Sequence, residues 1–218
     1  MPFKAVLFDL DGTLLDTIQD ISRSMNIVLN GYGYPTHSLE DYKLFVGDGI
    51  HNLAIRCLPV SEKNPVNIKK IIEAMRIEYK RHFFDHTRPY EGIPELLKQL
   101  TEKKLSLSVL SNKPHPATIE IIQHFFPHHH FDFIAGAKPH VPVKPDPTAS
   151  SKIVLMSGFN PEEFLYLGDT ATDMLTAVNT GMYPVGALWG FRSAEELKSS
   201  GAKKLIEKPL ELLNLIES

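Results

Sequence analysis

A single cysteine, Cys57, stands in the 218 residues, so the chain forms no internal disulfide and has no thiolate cluster for a metal. Neither sign of charge dominates: 23 Lys and Arg against 26 Asp and Glu leave a formal charge of −3, which gives no footprint for nucleic acid. No apolar run is long enough to span a bilayer. Asp9 and Asp11 interrupt the N-terminal run that a signal peptide would need. Internal repeats are lacking, and the one biased tract is the short "PHHHF" around His128–His130. Consecutive histidines rarely aim at one ion, and no acid or cysteine sits at ligand spacing, so this tract reads as a loop. These absences leave a cytoplasmic globular protein as the expectation, with 43 % hydrophobic and 22 % charged residues. The length allows one core, or a core with a smaller insert.

What is present is an alternation. Apolar runs at Phe3–Phe8, Leu105–Ser111, Phe131–Ala137, Phe164–Thr170 and Tyr183–Trp189 read as strands, with a weaker one in "KKLIEK" near the end. Between them lie stripes at helical spacing, such as Ile93, Leu96, Leu97 and Leu100, or Met174, Leu175 and Val178. Strand–helix alternation implies a parallel sheet with helices on its faces. Residues 16–88 break the pattern. Ile18, Ile21, Met25 and Val28 form one helical stripe, and Ile68, Ile71, Ile72, Met75 and Tyr79 another, with no strand between. The expected fold is therefore α/β, a Rossmann-like parallel core from 1–15 and 89–218 with a helical cap inserted at 16–88.

The polar residues fall where such a sheet binds ligands, beyond the carboxyl ends of the strands. The first strand runs into "DLDGT", with Asp9 and Asp11 two residues apart. In extended chain these share one face, and two close carboxylates repel unless a cation lies between them or one keeps its proton. Other strand ends carry "LSNK" with Ser111 and Asn112, and "GDTATD" with Asp169 and Asp173; Lys144 follows in "VKPDP". Asp9, Asp11 and Asp169 suit Mg²⁺, a hard ion that takes oxygen ligands. Ser111 and Lys144 can hold phosphate oxygens, and phosphoryl transfer needs mostly positioning and neutralisation of charge. An aspartate ionised at neutral pH attacks phosphorus without a separate base. In the insert, "FVGDGI" places Gly47 and Gly49 around Asp48, a helix-to-helix turn with Asp48 near an N-cap. Lys113 reads as a solvated lysine or an anion contact. Cys57 reads as a small apolar residue of the insert.

The order "DLDGT", "LSN", "KPDP", "GDTATD" resembles the haloacid dehalogenase superfamily, and more narrowly its phosphoglycolate phosphatase-like branch. The resemblance covers essentially the whole chain and includes "GIPELLKQL", "FDFIAGA" and "ALWGFR". It implies Asp9 as a nucleophile that becomes an aspartyl phosphate and Asp11 as general acid and base. It implies Ser111, Asn112, Gly12 and Lys144 as substrate contacts. The metal ligands would be Asp9, Asp169 and the Asp11 main-chain carbonyl, with Asp173 orienting a metal-bound water. The cap loop Gly47–Asp48–Gly49 would help choose the substrate. The implied activity is Mg²⁺-dependent hydrolysis of a small phosphorylated metabolite, with phosphoglycolate foremost. A phosphosugar mutase or a pyrophosphatase would share the core motifs, and a phospho-acceptor regulator without turnover is the reading from another class. No membrane or nucleic-acid partner is expected, and the oligomeric state is open.

Overall fold

The computed structural model describes residues 3–216. The first apolar run forms β1 (Ala5–Phe8), every residue of it fully buried. A strand covered on both faces reads as continuous apolar sequence, as parallel sheets require. Next come β2 (Leu15–Asp16) and four helices: α1 (Ile18–Gly31), α2 (Leu39–Phe45), α3 (Gly49–Cys57) and α4 (Pro65–His82). The chain returns through β3 (Arg88–Pro89), then alternates: α5 (Ile93–Glu102), β4 (Ser106–Pro114), α6 (His115–Phe125), β5 (Phe133–Ala137) and α7 (Thr148–Ser157). It continues with β6 (Phe164–Gly168), α8 (Ala171–Thr180), β7 (Tyr183–Ala187), α9 (Ala194–Ser199) and β8 (Lys204–Ile206).

The main sheet has the order β5-β4-β1-β6-β7-β8, with every neighbouring pair parallel. β1 lies between β4 and β6, so the ends of these strands meet on one side of the molecule. Side chains alternate between two faces. Val6 and Phe8 pack with Leu96 and Leu100 of α5 and Ile121 of α6. Ala5 and Leu7 pack with Ile153 of α7 and Ala177 of α8. The strand expected to stop at Ser111 runs on to Pro114, which places Ser111, Asn112 and Lys113 inside β4. Thr170, expected at the end of a strand, is instead the N-cap of α8. The His128–His130 tract lies outside helix and strand.

The insertion has an apolar cluster of its own, in which Met25 and Leu29 of α1 meet Tyr42, Leu53, Ile71 and Met75. The α1 and α4 stripes were legible; α2 and α3 are short and carry weak periodicity. α2 starts at a capping box, with Ser38 and Asp41 satisfying each other's backbone N–H groups. Cys57 is buried in this cluster, and burial pushes its thiol up to about 12, so it is an inert apolar residue.

The two crossings between core and insertion lie side by side. β2 and β3 pair antiparallel, Leu15 with Pro89 and Asp16 with Arg88. Asp20, fully buried in the first turn of α1, clasps the return strand. It accepts from the His86 N–H at 3.0 Å and from the Thr87 N–H and Oγ1, each at 2.8 Å. Burial alone would raise this carboxyl, but the donors from His86 and Thr87 outweigh it and hold it below its usual 3.8. A depressed carboxyl stabilises the fold above its unfolded pKa, and that stabilisation fades as pH falls toward the folded one. Asp20→Asn is therefore expected to cost roughly 1–3 kcal/mol at neutral pH. Its deficit against wild type should shrink as thermal melts are taken below pH 3.8. A constant deficit across that range would place the Asp20 contribution elsewhere than in its charge.

Candidate active site

Parallel strands bring their carboxyl ends together, and three acids meet there. Asp9 follows β1, Asp169 follows β6, and Asp173 lies in the first turn of α8. Each offers a carboxylate oxygen within 4.8 Å of the other two, and all three are buried. Lys144 Nζ donates to Asp9 Oδ1 at 2.8 Å and to Asp173 Oδ1 at 2.6 Å. Asp169 accepts from Thr13 Oγ1 at 2.8 Å and from the Phe191 N–H at 2.8 Å. The other Asp173 oxygen accepts from the Thr170 N–H and Oγ1, closing the capping box of α8.

The electrostatics follow from that crowding. Burial and the charge of Asp173 push Asp9 up to about 7, with Lys144 opposing them. Burial, then Asp173 and Asp9, hold Asp169 well above the carboxylate range. Lys144 moves the other way: burial would lower it, but Asp173 and Asp9 keep it well above its usual value. A buried carboxylate beside others requires positive charge to stay ionised, so an ionised Asp9 depends on Lys144 and on a cation added to the cluster. One lysine faces three carboxylates. An all-oxygen donor set with surplus negative charge fits a hard divalent cation such as Mg²⁺.

Asp11 belongs to a different part of the site. Its carboxylate lies outside the acidic cluster and accepts from Lys113 Nζ at 2.9 Å through both oxygens. Lys113 is buried, and its Nζ lies 4.7 Å from the Tyr79 ring centroid. Burial would lower this ammonium, but Asp11 holds it above the usual lysine value. The surface-lysine reading of Lys113 is thus replaced by an ion pair across β4 and the "DLDGT" turn. Ser111 Oγ accepts from the Lys113 N–H, and Ser111, Asp9 and Asp11 line one cavity of about 470 Å³. Asn112 is tied to main chain: it donates to the Gly47 and Lys144 carbonyls and accepts from the Lys144 N–H. Gly12 has φ +90°, and a Cβ there would lie 2.3 Å from Asp169 Oδ2, so its bare backbone gives Asp169 its room.

The Gly47–Asp48–Gly49 loop reaches this site from the insertion. Asp48 occupies the N-cap position of α3, as expected, but its side chain makes no cap. It accepts from Thr172 Oγ1 of α8 at 2.6 Å and pairs with Arg56. Arg192 donates to the Leu44 and Val46 carbonyls at 3.0 and 2.9 Å. Phe191 packs in the insertion's apolar cluster, while Trp189 packs against the core and donates to the Thr13 carbonyl.

The model of the family described as haloacid dehalogenase-like hydrolase matches residues 6–187. The chain belongs to that family. A phosphoglycolate phosphatase of Aquifex aeolicus is 28 % identical over 99 % of this chain and 97 % of its own. Phosphoglycolate phosphatase 1 of Pseudomonas aeruginosa is 26 % identical, over 96 % of this chain and 78 % of its own. A crystal structure from Lactobacillus delbrueckii subsp. bulgaricus, provisionally assigned as a phosphoglycolate phosphatase, matches with TM-score 0.93 and 30 % identity, covering 99 % of each chain.

Three contributors to the hydrolase site were not singled out from sequence: Thr13 and the Phe191 N–H on Asp169, and Arg192 on the insertion. Thr13 stands in the "DLDGT" stretch with no local mark of a partner 156 residues away, and a main-chain donor leaves no compositional signal. The glycine next to Thr13 yields a clean test. Gly12→Ala forces a β-carbon into the left-handed region, at about 1–2 kcal/mol, and displaces Asp169. Hydrolysis should fall by about 100-fold, the scale of a 1 Å misplacement. Gly31→Ala, at a position with nothing within 4 Å of the added carbon, should leave activity intact. Melting curves and steady-state rates of both variants provide the comparison; equal effects would remove the special role of Gly12.

Proposed function

We propose that this hydrolase removes phosphate from a small organic phosphomonoester through an aspartyl-phosphate intermediate on Asp9. The observation that carries the reading is the Asp9 carboxylate, held by Lys144 at 2.8 Å and set among Asp169 and Asp173 at a strand end. Asp9, Asp169 and the Asp11 main-chain carbonyl would hold Mg²⁺, with Asp173 beside them. Bound there, the ion supplies positive charge for the carboxylates and the phosphoryl oxygens.

An Asp9 oxygen bonds to phosphorus as the bond from phosphorus to the ester oxygen breaks. The departing alkoxide takes a proton from Asp11, a step that requires the protonated acid in place of the carboxylate that accepts from Lys113. Water then attacks phosphorus, its proton passes to Asp11, and the bond to Asp9 breaks with release of inorganic phosphate. Lys113 fixes the direction of the Asp11 carboxylate, while Lys144 compensates charge on Asp9. Ser111 Oγ faces the same cavity and can donate to a phosphoryl oxygen. Residues 16–88 act as a cap that closes over substrate and excludes bulk water. Relatives named for phosphoglycolate make that ester the reference substrate.

Excess chelator should abolish hydrolysis and added Mg²⁺ restore it; full activity in chelator would remove the metal from the reading. Rapid-quench mass spectrometry separates the two acids. Asp9→Asn should neither turn over nor gain a phosphate, because the amide is no nucleophile. Asp11→Asn should lose roughly 10²–10⁴-fold on alkyl phosphates, yet still accept phosphate on Asp9 from an aryl phosphate, whose leaving group needs no proton. Phosphorylated Asp9→Asn protein, or Asp11→Asn at the wild-type rate, would overturn this division of labour.

A further inference from the structure

The cavity that opens on Asp9 and Asp11 is larger and more apolar than a two-carbon acid requires. Its volume of about 470 Å³ falls within the range of pockets that enclose whole organic ligands. It persists while the insertion rests on the core: Asp48 is bonded to Thr172 at 2.6 Å, and Asn112 to the Gly47 carbonyl at 3.1 Å. The space therefore lies between a core and an insertion that are already in contact. Its insertion-side wall is built from Ile21 of α1, Val46, Ile50 and Leu53 around α3, and Met75 and Phe83 at the α4 end.

Charge is distributed to match. A carboxylate one carbon from the ester oxygen would lie next to the phosphate and need a cation there. The cation lining that end is Lys113, which already donates to both Asp11 oxygens. Diverting it would release the acid that the reaction uses. The other cations in the lining, Arg76 and Lys80, are exposed residues of α4.

Resting on the phosphatase reading above, we infer that the preferred substrate is a phosphomonoester whose alcohol carries an apolar alkyl or aryl body, bulkier than glycolate. The phosphoryl group meets Asp9 and Ser111, and the apolar body fills the space between α1, α3 and α4. Burial of that body against Leu53 and Met75 selects the ester.

The test uses the full-length enzyme with Mg²⁺ and n-alkyl phosphates from ethyl to hexyl, with phosphoglycolate alongside. Alkoxide basicity hardly changes along the series, so kcat/KM reports how the body is bound. A hydrophobic pocket gains about tenfold or more when filled by added methylenes. The expected result is a rise of at least about tenfold from ethyl to hexyl phosphate, with hexyl phosphate ahead of phosphoglycolate. Ile50→Arg, at a half-buried wall position, should erase that rise and improve phosphoglycolate. Calorimetric binding to Asp9→Asn should show the same order without any chemistry. A flat series with phosphoglycolate turned over best overturns the apolar-body inference and leaves the phosphatase reading standing. Hydrolysis of no phosphomonoester overturns the phosphatase reading, and this inference with it.

Discussion

Three buried carboxylates confronting one lysine are the constraint around which the molecule is arranged. Like charges at such range in a poorly polarisable interior repel strongly. A fold that keeps Asp9, Asp169 and Asp173 together must answer that repulsion locally. Lys144 does so from the loop ahead of α7, bonding two of the acids at once. The N-terminal turn of α8 adds the positive end of a helix dipole near Asp173. Thr13 and the Phe191 N–H fix Asp169. Gly12 and Gly190 press against Asp169 because any side chain there would collide with it; a Cβ on Gly190 would lie 2.2 Å from Asp169 Cβ. The central place of β1 between β4 and β6 is what makes the convergence possible.

Much of this was readable in the chain. Continuous apolar runs marked the buried strands, and the acids stood at their ends. The helical stripes of α1 and α4 announced the insertion. What escaped was long-range pairing of polar groups. Lys113 and Asp11 are 102 residues apart, and a lysine beside a serine carries no mark of its partner. Asp48 was placed correctly at a helix start, yet the local rule for such a residue, capping its own helix, lost to Thr172 across the interface. Asn112 sits in a phosphate-binding motif by resemblance, but its amide joins the Lys144 segment to the Gly47 loop. Local chemistry predicts which groups are available; topology decides which of them meet.

The insertion contributes to the site without supplying a member of the acidic cluster. It adds an apolar roof and a loop whose backbone the core grips through Asn112 and Arg192. The acids thus stand at strand ends, while the apolar lining contributed by the insertion comes largely from helix faces. Loops tolerate substitution better than a buried cluster of charges held by Lys144, Thr13 and Thr170.

The pairing of β2 with β3 has a meaning for the chain as a polymer. The insertion leaves the core at Leu15 and returns at Pro89, positions that are direct partners in a ladder. To the core it is therefore one long loop with its ends already touching. The entropy of closing a flexible loop grows only logarithmically, by about 0.6 kcal/mol per doubling of length. A core of this design can hold an insertion of almost any size for nearly the same free energy. The ladder that joins these ends lies in its own two-stranded sheet, separate from the six-stranded one.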